Sequence, residues 1–398
     1  MPRKVYRFID LFSGAGGLAQ GFVQASDSNV EFRPIFAVEA DRAAAASYAA
    51  NFRHNVFAGT IESLDLETIP KAELVIGGPP CQGFSPLGKM SPTDHHATLN
   101  KLWEYFFKVI EKVKPRAFVV ENVPEFLKSE EFVQALDIAK KLGYRICYGT
   151  RNAAEFGAPQ QRKRGFLIGA RGFTPVLPPQ PALIKYRTVK DAIGHLLDCP
   201  LVDTFNIEGN ASLGRLRKLV ARLVDSDNGT NLDRMPIHEV SQLHLSRNPT
   251  DVSMRRYKSI PYGGNRFNLP PDLLSDCWRK KISGSADVMG RLVWNKPSVT
   301  IRTEFFKPEK GRYLHPVLDR PITHLEAAKL QTFPDGYILC GSKTQVARQI
   351  GNAVPPALAQ AIAEQLKKEL VRPKPIQEQR VARRKDTPSG RRSKGGRK

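Results

Sequence analysis

Three short segments of this chain carry residue types that can do covalent chemistry. Gly77-Gly78-Pro79-Pro80-Cys81-Gln82-Gly83-Phe84-Ser85 sets one cysteine just after the apolar run 73–76. Two glycines let the backbone turn there, and two prolines stiffen it by fixing φ and removing N–H donors. A cysteine held this way reads as an aimed nucleophile. Its thiolate attacks soft electrophilic carbon, and it needs positive neighbours to ionise near neutral pH. Glu121-Asn122-Val123 closes another apolar run and offers a carboxyl group for proton donation or hydrogen bonding. Gln160-Gln161-Arg162-Lys163-Arg164 supplies positive charge. Alternate residues of an extended segment share a face, so Arg162 and Arg164 point together. Such a pair suits a phosphate or the edge of a base, although the segment alone reads equally as an exposed basic turn.

A fourth segment is suited to holding a nucleoside. In Asp10-Leu11-Phe12-Ser13-Gly14-Ala15-Gly16-Gly17 the glycines let a ligand approach the backbone, and the helix that follows offers free N–H groups. Glu39 lies 25 residues after Gly14 at the end of the next apolar run, where a carboxylate takes two ribose hydroxyls. The glycine turn alone would equally fit a nicotinamide dehydrogenase. That reading leaves the Cys81 loop and the basic charge unexplained.

Alternating elements must position these groups. Strands are expected at 5–10, 34–38, 73–76, 117–120, 144–151 and 165–168. Helices are expected from residue 17 and over 41–50, 99–113, 130–142, 324–331 and 356–370. This alternation predicts an α/β fold, a doubly wound Rossmann-like parallel sheet with helices on both faces. Strand ends of such a sheet converge on one crevice, so Cys81 and Glu121 face the same cleft. A proline-rich linker, Pro175 to Pro181, precedes a turn-rich basic stretch with interleaved aromatics. The expected division is a catalytic domain, 1–187 completed by 341–370, a smaller irregular target-recognition domain, 188–340, and a disordered basic tail, 371–398.

The net charge is +22, of which +9 lies on residues 372–398. A surface this basic attracts polyanions, nucleic acid first among them. No apolar run is long enough for a membrane span, and no signal peptide precedes the first strand. The five cysteines, 81, 147, 199, 277 and 340, include no C-x-x-C pair. That fits a reducing cytoplasm, without structural disulfides or a metal site.

In these segments the chain resembles the cytosine-5 DNA methyltransferases that use S-adenosylmethionine, specifically the prokaryotic restriction–modification type. The resemblance covers nearly all of residues 4–366 apart from the variable stretch, with six motifs in order. They are the glycine turn, the Pro80-Cys81 loop, Glu121-Asn122-Val123, the Gln160-x-Arg162-x-Arg164 segment, and two closing segments, 320–337 and 348–363. The resemblance implies that Cys81 adds to carbon 6 of a cytosine flipped out of double-stranded DNA. Glu121 contacts ring nitrogen 3, and Arg162 and Arg164 orient the base and the catalytic loop. It implies a cofactor site lined by Phe12, Gly14, Gly16, Glu39, Thr60 and Pro80, closed by Asn352 and Ala353. Two positions depart from the family pattern: Ala40 replaces a bulky apolar residue, and Thr60 replaces an aspartate that binds the adenine amino group. DNA contacts are expected from Ser85 and from a recognition loop, 253–267, through Arg255, Arg256, Lys258 and Arg266 around Gly263-Gly264. A cognate restriction endonuclease and a monomeric state complete the expectation. A tRNA-directed relative of the same fold would usually carry Cys-Phe-Thr, which is absent. A DNA-binding protein without catalysis would not need Cys81, Glu121, Arg162 and Arg164 together.

Overall fold

The structure is a computed structural model and describes residues 2–80, 102–181, 185–202, 211–225, 235–280 and 283–372. Cys81 and Ser85 lie outside the described residues, as do the expected helix start at 99 and the tail from 373.

Strands β1 (Lys4–Leu11), β2 (Val30–Val38), β3 (Val56–Phe57), β4 (Leu74–Gly77), β5 (Ala117–Asn122), β6 (Arg145–Asn152), β7 (Lys163–Ala170) and β8 (Val224–Asp225) form one sheet. Their order is β6-β7-β5-β4-β1-β2-β3-β8. The sequence pattern implies parallel pairing throughout, but β7 runs antiparallel to both β5 and β6. The link from β6 to β7 carries only the short 3-10 turn Ala153–Phe156. Parallel pairing needs a crossover of a dozen residues or more, so the chain returns antiparallel. β2 starts at Val30, earlier than expected from the proline at 34. Pro34 opposes Phe8 and Phe36 opposes Ile9, so the ladder slips there. Such a bulge is where a strand tolerates a residue without an N–H.

Side chains alternate across the sheet and feed two cores. Phe8 joins Phe22, Ala45, Tyr48 and Leu358 on one face. Ile9 and Leu11 join Phe106, Ile110, Phe118 and Ala135 on the other. The helices Gly17–Gln24, Arg42–Phe52 and Pro356–Val371 therefore cover the first face, and Leu102–Val113 and Glu130–Lys141 the second. Local chemistry agrees with these bounds. The Asp41 carboxylate accepts from the N–H groups of Ala43 and Ala44, and the Ser129 hydroxyl accepts from that of Phe132.

Beyond β7 the chain builds a third core around Val189, Leu243, Ile301, Phe305, Leu325, Val346 and Ile350. A fourth, smaller one gathers Tyr257, Ile260, Leu269, Met289 and Leu314. Few regular elements support it. Its backbone is satisfied by the buried Arg291 guanidinium, which donates to the carbonyls of Tyr257, Ile260, His315 and Leu318 at 2.7–2.9 Å. One planar five-donor group thus replaces a ladder. The helix Ala211–Leu223 leads into β8, which extends the main sheet beside β3. No helix among the described residues is long and apolar enough to cross a membrane.

Candidate active site

β1 has β2 on one side and β4 on the other, so the strand order reverses there and a crevice opens beyond the carboxyl ends. The turn after β1 lies at that opening. Phe12, Gly14 and Gly16 all take positive φ, at 55°, 54° and 90°. The position a side chain would fill at Gly14 meets nothing within 4 Å, leaving open room over the turn. At Gly16 a Cβ would come 2.8 Å from the Tyr337 hydroxyl and closer still to the Phe52 ring, so glycine is required. Glu39 holds the turn from the side, its carboxylate accepting from the Gly14 N–H at 2.7 Å and the Asp41 N–H at 2.8 Å. Burial raises its pKa, against the pull of those N–H groups. Asn352 and Ala353 end the helix Lys343–Asn352, and Ala353 packs on Gly17. Phe12, Gly14, Gly16, Glu39 and Ala353 are thus gathered around one turn. Thr60 is exposed and heads the 3-10 turn Ile61–Ser63 after β3, and its carbonyl accepts from the Ser63 hydroxyl. Open room at Gly14 beside a buried carboxylate fits an adenosyl cofactor.

Asp10 lies beneath this turn, and nothing in the sequence pattern singles it out. It is fully buried, with the buried Tyr48 hydroxyl as its polar neighbour. Burial raises its pKa well above the usual carboxylate range; the Tyr48 hydroxyl opposes the rise and Glu39 adds to it. The stability contributed by the neutral form is fully present below the unfolded value of about 4 and is lost as pH rises through the raised folded value. Asp10→Asn keeps the shape without that loss. Thermal unfolding should show the variant gaining on the parent as pH rises from about 4 to about 9; a constant difference would contradict a neutral Asp10.

The loop after β4 is braced against the end of β5. The Asn122 amide donates to the Pro79 carbonyl at 3.2 Å, and a Cβ at Gly78 would sit 2.9 Å from Glu121 Oε2. The backbone at Gly78, on the loop that leads to Cys81, therefore lies next to the Glu121 carboxyl group. Glu121 is nearly buried and pairs with Arg164, Nε to Oε1 at 2.9 Å. Burial raises its pKa, while Arg164 and Arg162 pull it down. Both arginine charges act on Glu121, but Arg162 is 2 % exposed and serves the scaffold. Its guanidinium donates to the carbonyls of Ile301 at 2.9 Å and Gly351 at 2.8 Å.

Two glutamines extend this brace, Gln160 from the Gln160-x-Arg162-x-Arg164 segment and Gln331 from the closing segment 320–337. Buried Gln160 accepts from the Ile301 N–H at 2.8 Å and donates to Gln331 Oε1 at 2.8 Å. Gln331 in turn donates to the Ile350 carbonyl at 2.5 Å. The terminal carbonyls of a helix lack intrahelical partners. Here Gln331 and Arg162 satisfy two of them, just before Asn352. The catalytic strand, the 298–303 segment and the cofactor-side helix thereby share one buried network. Gln331→Leu would strand Gln160 and the Ile350 carbonyl, and should cost about 1–3 kcal/mol in urea unfolding. A loss under about 0.5 kcal/mol would mean the groups find other partners.

The expected recognition loop needs correction. Asp251–Ser259 is a helix capped by Thr250, not a loop. Arg266 is buried and donates to the Ser283 carbonyl at 3.0 Å. Arg256 donates to the Leu273 carbonyl and lies over the Trp278 ring. Arg255 is exposed and pairs with Asp272 at 2.8 Å. Lys258 is exposed on the same helix. A string of basic residues thus includes structural arginines that bind carbonyls, a distinction composition does not carry.

Residues 6–368 match the family described as C-5 cytosine-specific DNA methylase. The chain is 32 % identical over 367 residues to a type II methyltransferase, M1.HphI, of Haemophilus parahaemolyticus, covering 90 % of this chain and 85 % of that protein. It is 31 % identical over 376 residues to the type II methylase M.HgiDII of Herpetosiphon aurantiacus, covering 90 % and 94 %. Among solved structures it resembles a putative DNA modification methyltransferase encoded within a prophage in E. coli. That likeness has a TM-score of 0.63 and 25 % identity, over 92 % of this chain and all of that one. The glycine turn, the braced Pro80 loop and the Glu121–Arg164 pair thus belong to a match spanning both ends of the sheet: the chain belongs to the C-5 cytosine-specific DNA methylase family and is a DNA (cytosine-5-)-methyltransferase.

Proposed function

We propose that this chain methylates carbon 5 of a flipped-out cytosine in a specific double-stranded DNA site through a covalent adduct of Cys81. We infer a protective role in a restriction–modification system from the type II methyltransferases it resembles. The observation that carries the mechanism is the Glu121 carboxyl group, buried at the end of β5 against the Arg164 guanidinium and the backbone leading into Cys81. Carbons 5 and 6 are closed to attack inside the stack, so the base must leave it. The Cys81 thiolate adds to carbon 6, and Glu121 gives a proton or hydrogen bond to ring nitrogen 3. That turns the ring into an enamine nucleophilic at carbon 5. When bound, S-adenosylmethionine would supply the methyl group as an electrophile, its sulfonium carbon–sulfur bond breaking to leave S-adenosylhomocysteine. Carbon 5 then gives up its proton to solvent, and the freed electron pair expels Cys81 as thiolate and restores the aromatic ring. Arg164 holds Glu121 in place, and Arg162 holds the strand.

Phe12, Gly14, Gly16, Glu39, Thr60, Pro80, Asn352 and Ala353 would hold the cofactor; the open room at Gly14 and the acceptor at Glu39 support this. Residues 1–187 with 341–370 form the catalytic domain in this reading, and 188–340 form the target-recognition domain, which lends β8 to the catalytic sheet; the chain works as a monomer in the cytoplasm alongside a cognate endonuclease. Bisulfite sequencing of DNA from cells expressing the chain tests the reading. Protected cytosines at one recurring short site are expected; fully converted DNA would overturn it.

A further inference from the structure

We propose that a cleft behind the catalytic strand is a binding subsite for the sugar–phosphate backbone of the DNA substrate. The proposal rests on the DNA-methylating reading above and adds a site to it. The cleft has a volume of about 680 Å³ and is lined among others by Gln161, Lys185, Tyr186, Asn295, Lys296 and Ser298. No Asp or Glu lines it. Neither lysine side chain forms an ion pair or hydrogen bond among the described residues, although Lys185 is close enough to Asp191 to help lower its pKa. Tyr186 is 41 % exposed, which leaves its ring open to a ligand. Ser298 is 1 % exposed, and its hydroxyl has no hydrogen-bond partner among the described residues. That hydroxyl is closed off from the cleft, so contacts with a ligand fall to the two lysines, the amide groups and the ring.

The walls are stitched to both sides of the fold. The Gln161 N–H donates to the Ser298 carbonyl at 2.8 Å, and the Ser298 N–H to the Pro159 carbonyl at 2.9 Å. On the other side, the N–H of Val189 donates to the Lys296 carbonyl at 2.9 Å and that of Lys190 to the Trp294 carbonyl at 3.0 Å. A cleft held this way is preformed, so binding need not order it. Its position is also specific. Gln161 precedes Arg162 on the extended segment entering β7, and neighbouring residues of such a segment face opposite ways. The cleft therefore lies across that strand from Glu121 and Arg164. It is separate from the pocket for the target base, yet only one strand away. Fixed cations, amide groups and an exposed ring beside a nucleotide site match what binds a nucleic-acid strand without reading its sequence.

The test uses the full chain with Lys185→Gln and Lys296→Gln combined, binding cognate and scrambled duplexes at several salt concentrations. The slope of log affinity against log salt should become shallower by roughly 1.8, about 0.9 for each phosphate that no lysine neutralises any longer. Affinity near 0.1 M salt should fall by roughly tenfold per lysine for both duplexes alike. Turnover at saturating DNA and cofactor affinity should stay at the parent's level. Lys296→Arg should restore its share of the slope. Tyr186→Ala should weaken binding without changing the slope, because the ring carries no charge. An unchanged slope and affinity in the double variant overturns the subsite, as does a weakening confined to the cognate duplex, which would mark a base-reading role. The binding assay needs no turnover. Failure of the parent chain to methylate cytosine therefore overturns the activity, and is told apart from failure of the subsite.

Discussion

Cys81→Ser should abolish methyl transfer and leave binding of DNA and cofactor largely intact. At neutral pH a thiol is partly ionised and a serine hydroxyl is not, so the adduct at carbon 6 cannot form at a useful rate. DNA carrying 5-fluorocytosine should become covalently attached to the parent protein and not to the variant. After methylation the fluorine cannot leave as a proton does, so elimination stops. Mass spectrometry of the trapped complex locates the bond. Parental turnover in the serine variant, or a bond at another residue, would remove Cys81 from the mechanism.

Glu121→Gln should lower kcat by ~10²-fold or more, as expected when a positioned acid is lost. Burial raises the Glu121 pKa while Arg164 and Arg162 oppose the rise. The proton is therefore retained to higher pH than on an ordinary glutamate. If the protonated form acts, the parent's kcat declines as pH rises through that raised value, and the glutamine variant lacks this limb because its amide does not titrate. Cofactor affinity should change little. Loss of cofactor binding with kcat preserved would take Glu121 out of the base pocket.

Periodicity and turn chemistry made the main sheet legible, because strand-forming runs there are short, apolar and punctuated by glycine or proline. The antiparallel return of β7 was not legible: it depends on the missing helix between two strands, not on either strand. The helix Lys343–Asn352 was missed although Ser342 and Gln345 form a capping box. With buried Val346, Ala347 and Ile350 its apolar stripe is narrow, and Ser-x-x-Gln ahead of it was the available signal. Glycine and carboxylate positions at the site were readable because few residue types tolerate those backbones or strand ends. The arginines were not sorted. Arg164, Arg162, Arg266 and Arg291 look alike as letters, and only the fold decides which guanidinium meets a carboxylate and which meets carbonyls. Asp10 was equally hidden, since an acid at a strand end reads the same whether it faces water or the core.

The junction between the first strand and the last helix has a consequence for how the chain matures. The Tyr6 hydroxyl donates to the Leu370 carbonyl, across 364 positions, and Gly21 lies close against Ala359 and Gln360. During synthesis the strand and the helix Gly17–Gln24 emerge long before the helix Pro356–Val371 that covers them. Until then Phe22 and its neighbours lack that cover, and closure must join segments 364 positions apart. Long-range closure of this kind is slow and leaves apolar surface open to aggregation. Yield in expression should therefore respond more to synthesis temperature and chaperone supply than to substitutions in the cleft, and premature termination before residue 356 should leave an insoluble product rather than a smaller folded one.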